Sequence, residues 1–345
     1  MDTSDIADIL RRKPSNLAIY TNPEHELFLK QVNVPAPSER ECLVHVRATG
    51  ICGSDIHFWK AGHIGEMIVT GENGLGHESA GVVVGVGPEV TKFKIGDRVA
   101  IECGIPLIFY STPPYHGTLT RYHAHPEDWL HKMPDKMSYE EGSLLEPLSV
   151  ALTEIERSGV RLGDPVFICG SGPIGMATLL AANAAGANPI VITDINQNRL
   201  DMAKKVVPRV RSLLITPGKD PQATADDIKG ALGQEAKMIL ECTGVESSVV
   251  TGIYSCRFGG IVFVIGCGKD FATIPIMYMA GKEIELRFQF RYRDIYPRAI
   301  GLVAEGVIDL KPLVTHRFTL EEGAKAFRTA SDPNALALKV HVLDD

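Results

Sequence analysis

No stretch of this sequence stays apolar for the ~18 residues that a bilayer-spanning helix needs, so no membrane span is expected. A basic excess is missing too: 35 Lys and Arg face 42 Asp and Glu, a net charge of −7. A phosphate backbone is held by surplus positive charge, which argues against nucleic acid as the main partner. The opening residues, Met1-Asp2-Thr3-Ser4-Asp5, are acidic and lack the basic-then-apolar order of a secretory signal. Cysteine is sparse: seven residues, odd in number and dispersed at 42, 52, 103, 169, 242, 256 and 267. That pattern is no disulfide framework and fits a reducing, cytoplasmic compartment. Internal repeats, low-complexity segments and long linkers are also lacking.

What is present is ordinary globular material, 45% hydrophobic and 22% charged over 345 residues. At about 150 residues per domain this length suggests two domains, each able to bury a core without staples. The first part reads as β-rich. Runs such as 42–48, 79–86 and 98–102 are broken by turn residues at Gly85-Val86-Gly87-Pro88 and Gly96-Asp97, as in a small barrel or sandwich. Near residue 150 the texture changes. Apolar runs at 165–169, 190–194, 238–242 and 261–265 alternate with helical sequence, which predicts a parallel sheet covered on both faces. After about 286 that rhythm stops; a helical stretch at 296–305 and a β-rich run at 336–343 are expected to return to the first domain.

Gly170-Ser171-Gly172-Pro173-Ile174-Gly175 matches G-x-G-x-x-G. The motif alone is weak. Here it follows an expected strand, opens an expected helix, and has Asp194 19 residues after its last glycine. Gly170 permits the tight turn, Gly172 leaves room for a pyrophosphate, and Gly175 lets helix and sheet approach. The helix start at Pro173 and Ile174 offers unpaired N–H groups to phosphate. Asp194 would accept from ribose hydroxyls and repel a 2′-phosphate, which favours NAD over NADP. Arg199 suits either an adenine stack or a solvated helix face.

The first domain also carries thiolate, imidazole and carboxylate donors: Cys52-Gly53-Ser54-Asp55-Ile56-His57, Gly76-His77-Glu78 and Glu146-Pro147. These are donors that zinc accepts, and three protein ligands leave a fourth position for water or substrate. Singly each is weak, since a lone cysteine is usually a small buried hydrophobe.

Taken in order, C-x-S-x-x-H, G-H-E, G-x-G ahead of Gly96-Asp97-Arg98-Val99, Glu146-Pro147-Leu148 and the glycine motif resemble the zinc-dependent medium-chain dehydrogenases. Segments 52–59, 76–81, 111–116, 141–150 and 288–292 look like the polyol branch, which acts on sorbitol, xylitol and L-arabinitol. Segments 111–123, 241–248 and 313–318 are especially similar to the fungal L-arabinitol 4-dehydrogenases. The resemblance spans nearly the whole chain. It implies a GroES-like β-rich catalytic domain over 1–150 and 287–345 around a Rossmann NAD-binding domain over 151–286.

The resemblance assigns Cys52, His77 and Glu78 to one catalytic zinc, with Glu146 on the metal or on its water. Ser54 and His57 would relay the proton outward, imidazole being suited to that near neutral pH. Thr243 would join the cofactor site, and Phe58, Arg291 and Tyr292 the substrate pocket. A phenylalanine at 58, where sorbitol and xylitol enzymes tend to carry tyrosine, favours L-arabinitol oxidised to L-xylulose. Sorbitol, xylitol or galactitol oxidation are the alternatives, as is a catalytically weak relative that only binds a dinucleotide. Arg293-Asp294-Ile295 departs from the small residues expected at the pocket rim. A larger departure lies at 103–111. Family members often carry a lobe with four cysteines here that binds a structural zinc; only Cys103 remains, so no structural zinc is expected. The chain looks short by about one ~20-residue lobe, which weakens the expectation of a homo-oligomer, a tetramer in the family.

Overall fold

The apolar run at 42–48 lies inside the strand Glu41–Gly50, and that strand organises the first half of the fold. The computed structural model describes residues 11–105 and 108–345, so expectations resting on Met1 to Asp5, and on Pro106 and Leu107 within the 103–111 segment, lie outside the described residues. Two units emerge. The first takes the chain up to Glu146 together with Tyr296–Gly306 and Leu313–Asp345. The second takes Pro147–Ile295 and Val307–Pro312.

In the first unit, Glu41–Gly50 pairs antiparallel with Glu78–Val86 along its length, with Tyr122–Pro126 near its start and with Lys339–Leu343 at its end. Arg98–Ile101 and Leu130–Lys132 extend the sheet on one side and Val314–Thr319 on the other, giving seven strands. The last strand of the chain thus returns to the first unit, as the sequence suggests. Ile19, Ile51, Leu75, Leu119 and Phe327 form one of its apolar cores. Each such side chain contributes about 1.5–3 kcal/mol by leaving water.

The second unit is built on six parallel strands: Val166–Cys169, Ile190–Asp194, Arg211–Leu214, Ala236–Glu241, Cys256–Val264 and Glu285–Phe288. Numbered along the chain, their spatial order is 3-2-1-4-5-6, the doubly wound order in which ligands bind where the strand order reverses. The expected apolar runs all fall in these strands. Buried from both faces, they read as continuous apolar runs and pack Phe167, Val191, Ile239, Ile253 and Val262 into one core. Glu285–Phe288 adds to the sheet edge by pairing with Cys256–Val264. The second unit includes this strand and the residues to Ile295. Among the described residues no helix is long and apolar enough to cross a membrane.

Candidate metal centre and dinucleotide loop

Strand register brings the donors of the first unit together. Gly50 pairs with Glu78, so the chain leaving one strand reaches Cys52 beside the His77 that precedes the other. One potential ligand atom from each of Cys52, His77 and Glu78 lies within 4.8 Å of the others, the one such grouping among the described residues. His77 and Glu78 are buried, and Cys52 is partly so. A Cβ on Gly50 would sit 2.1 Å from Glu78 Oε2, so glycine is what leaves space for that carboxylate. A soft thiolate, an imidazole and a carboxylate within this reach fit a zinc ion.

Two further groups hold these donors, and the site residues drawn from the sequence include neither. Cys52 is the N-cap of the helix Gly53–Ala61, in extended conformation, and its N–H donates to Asp55 Oδ2 at 3.2 Å. Asp55 is fully buried, and its other oxygen lies 3.3 Å from His77 Nδ1. Burial alone would push the Asp55 pKa up, but His77, Ser111 and the Gly76 N–H outweigh it and hold the carboxyl below its usual range. Burial likewise works against charge on His77, and Asp55 and Cys52 reverse that, leaving its pKa well raised. The second group is Lys339, 2% exposed, whose ammonium donates to both Glu78 oxygens at 2.7 and 2.5 Å and to Ile51 O at 3.3 Å. Burial lowers the Lys339 pKa, while Glu78, Cys52 and Glu146 raise it by more, so the lysine stays charged. Both had sequence signals: an Asp at N3 of a capped helix, and a lone cation inside the apolar run ending at Leu343.

Other expected residues fall as follows. Ser54 is half-buried on the first turn of the helix Gly53–Ala61, its Oγ 3.4 Å from His77 Nε2. His57 is exposed one turn further on, so the pair shares a face leading outward. Glu146 is buried and near enough to act on Lys339, but stands outside the three-donor group. Phe58 is 2% exposed and packs with Ile51, Leu75 and Phe327. Arg291 and Tyr292 belong to the second unit, Tyr292 buried and Arg291 stacked over Phe290 at 4.6 Å. Nearby, Arg293 and Asp294 pair with each other at 3.0 Å in solvent.

The glycine motif follows Val166–Cys169 and opens the helix Pro173–Ala184, with Gly172 as N-cap and Pro173 in the first turn. A Cβ on Gly175 would lie 1.9 Å from Gly170 O, so helix and loop approach as only glycine allows. At Gly172 the nearest atom to such a Cβ is Arg199 Nη1 at 3.9 Å, which leaves the helix start open. Asp194 ends its strand and accepts from the Ser171 N–H at 2.8 Å, the Ser171 hydroxyl at 3.1 Å and the Asn196 N–H at 2.9 Å. Arg199 lies 3.9 Å from it. Thr243 donates its N–H to Glu241 at 2.9 Å and packs against Gly170. Open amides at a helix start, with a carboxylate at the end of the next strand, fit a dinucleotide.

Comparison with known proteins places both halves. Residues 38–135 match the alcohol dehydrogenase GroES-like domain and residues 173–305 the zinc-binding dehydrogenase model. The L-arabinitol 4-dehydrogenase of Penicillium rubens is 50% identical, over 95% of this chain and 94% of its own. Human sorbitol dehydrogenase is 40% identical, over 95% of this chain and 96% of its own. Among solved structures, 2R,3R-butanediol dehydrogenase from Bacillus subtilis superposes with a TM-score of 0.87 at 26% identity, covering 96% of this chain and 100% of that one.

Proposed function

This chain belongs to the zinc-binding alcohol dehydrogenase family, in its polyol branch, and from that premise we propose that it oxidises L-arabinitol to L-xylulose with NAD. The observation that carries the chemistry is the convergence of Cys52, His77 and Glu78. These three would hold one catalytic zinc. Once bound, the metal would acidify the alcohol as a Lewis acid, and the dinucleotide would take up the hydride.

The chain's own residues do the rest. Ser54 Oγ would accept the alcohol proton as its own hydroxyl proton passes on, with His57, exposed one turn on, releasing a proton to solvent. Glu146 supplies a further carboxylate beside the metal centre. Lys339 holds the Glu78 carboxylate in place, and Asp55 fixes the His77 ring so that one nitrogen remains for the metal. Gly170, Gly172 and Gly175, with Pro173 and Ile174, shape the phosphate cradle; Asp194 receives the ribose hydroxyls and Arg199 flanks the adenosine. Arg291 and Tyr292 are assigned to the substrate hydroxyls on family resemblance. The protein would work in the cytoplasm, as a homo-oligomer without a structural zinc.

The 50% identity to L-arabinitol enzymes against 40% to sorbitol dehydrogenase supports the substrate. A panel of L-arabinitol, xylitol, sorbitol and galactitol with NAD tests it. L-Arabinitol should give the highest kcat/KM, and a higher value for any of the other three removes it. Asp194→Ser should shift the NADP-to-NAD preference by about tenfold or more, as expected from about 1.4 kcal/mol of lost repulsion and hydrogen bonding. An unchanged preference would take Asp194 out of that role.

A further inference from the structure

Where family members often carry a lobe, Cys103 and Phe109 touch His77 directly. Gly104–Ile105 and Ile108–Phe109 pair as a short hairpin. Cys103 Sγ donates to the His77 carbonyl at 2.8 Å. The Phe109 ring meets the His77 ring edge-on, with centroids 5.4 Å apart. Just past the hairpin, Ser111 Oγ donates to Asp55 Oδ1 at 2.7 Å. That oxygen also takes the Gly76 N–H at 2.9 Å and faces His77 Nδ1 at 3.3 Å.

Ser111 is 1% exposed and has φ 73°, a left-handed conformation that a non-glycine residue adopts at a cost. Its carbonyl is pinned by Asn73 Nδ2 at 3.2 Å, and its hydroxyl meets the buried carboxylate. A glycine would fit the backbone with less strain but could not supply that hydroxyl.

We propose that Ser111 is a positioning residue for the metal ligand His77, acting through Asp55. Its hydroxyl fixes the rotation of the Asp55 carboxylate, whose charge stands 3.3 Å from His77 Nδ1 and so sets how the ring turns its Nε2 towards the metal. Carboxylate–histidine pairs of this kind fix tautomer and ring orientation in metal sites. The proposal rests on the reading of Cys52, His77 and Glu78 as zinc ligands.

Ser111→Gly separates the hydroxyl from the backbone. The metal-free variant should stay folded with only a modest loss of unfolding temperature, because relief of the left-handed strain offsets part of the lost hydrogen bond. Its zinc affinity, measured by competition with a chromophoric chelator, should fall about tenfold, the lower end of what orienting partners of metal ligands contribute. Cobalt substituted at the site should show a changed visible spectrum. Cys52→Ser is the control and should lose the tight site. If Ser111→Gly keeps wild-type zinc affinity and cobalt spectrum while Cys52→Ser loses the site, Ser111 is a turn residue only and the proposal fails alone. If the wild type binds no zinc, or Cys52→Ser binds it equally well, the metal reading falls and the proposal with it.

Discussion

Replacing Cys52 by serine should lower kcat/KM for polyol oxidation by at least about 10³-fold while leaving the dissociation constant for NAD within about threefold. The size follows from losing Lewis-acid stabilisation worth several kcal/mol, at about 1.4 kcal/mol per factor of ten. A serine hydroxyl is a poor substitute for a thiolate on zinc, so the metal should leave with the activity. Folding should survive. Cys52 is an N-cap, a position serine favours, and the backbone bond from its N–H to Asp55 is untouched by the change. The glycine loop and Asp194 lie in the second unit on separate strands. Steady-state kinetics, NAD titration by fluorescence and metal content on one preparation give all three numbers. An active Cys52→Ser variant would rule out the proposed chemistry.

Lys339→Met should destabilise the metal-free protein by about 3–5 kcal/mol, the usual cost of leaving a buried carboxylate without its partner. Glu78 is 1% exposed, and the ammonium of Lys339 contacts both its oxygens. With zinc bound, the metal's positive charge stands beside the same carboxylate, so the loss should be smaller. The gap in unfolding temperature between zinc-loaded and chelator-treated protein should therefore be wider in Lys339→Met than in the wild type. Lys339→Arg, which keeps the charge, should restore most of the metal-free stability. Equal gaps in wild type and Lys339→Met would mean that lysine and metal do not share Glu78.

Much of this was legible from local pattern. The parallel strands show themselves as short apolar runs because both faces are buried, and the dinucleotide loop because only glycine fits where Gly175 meets Gly170. The three donors stand out by residue type. What pattern does not reveal is which distant residues register brings beside them. Lys339 reaches Glu78 because the last strand pairs with the end of Glu41–Gly50, and Ser111 reaches Asp55 just past the pairing of Gly104–Ile105 with Ile108–Phe109. Phe58 is a case where pattern and packing meet. Its position in a functional motif suggests a substrate contact, and it stands one turn after Ser54 on the same helix face, with its ring packed among Ile51, Leu75 and Phe327. That Glu285–Phe288 joins the sheet is likewise a matter of pairing, which composition does not report.

On the proposed chemistry, one zinc held by Cys52, His77 and Glu78 is required for polyol oxidation. Zinc per chain, measured by mass spectrometry on fully active protein alongside activity before and after chelation, tests it most directly. About one zinc per chain is expected, lost together with activity and regained with it on adding zinc. Full activity in protein stripped of metal would contradict the claim, and two tightly held zinc ions per chain would contradict the absence of a structural site.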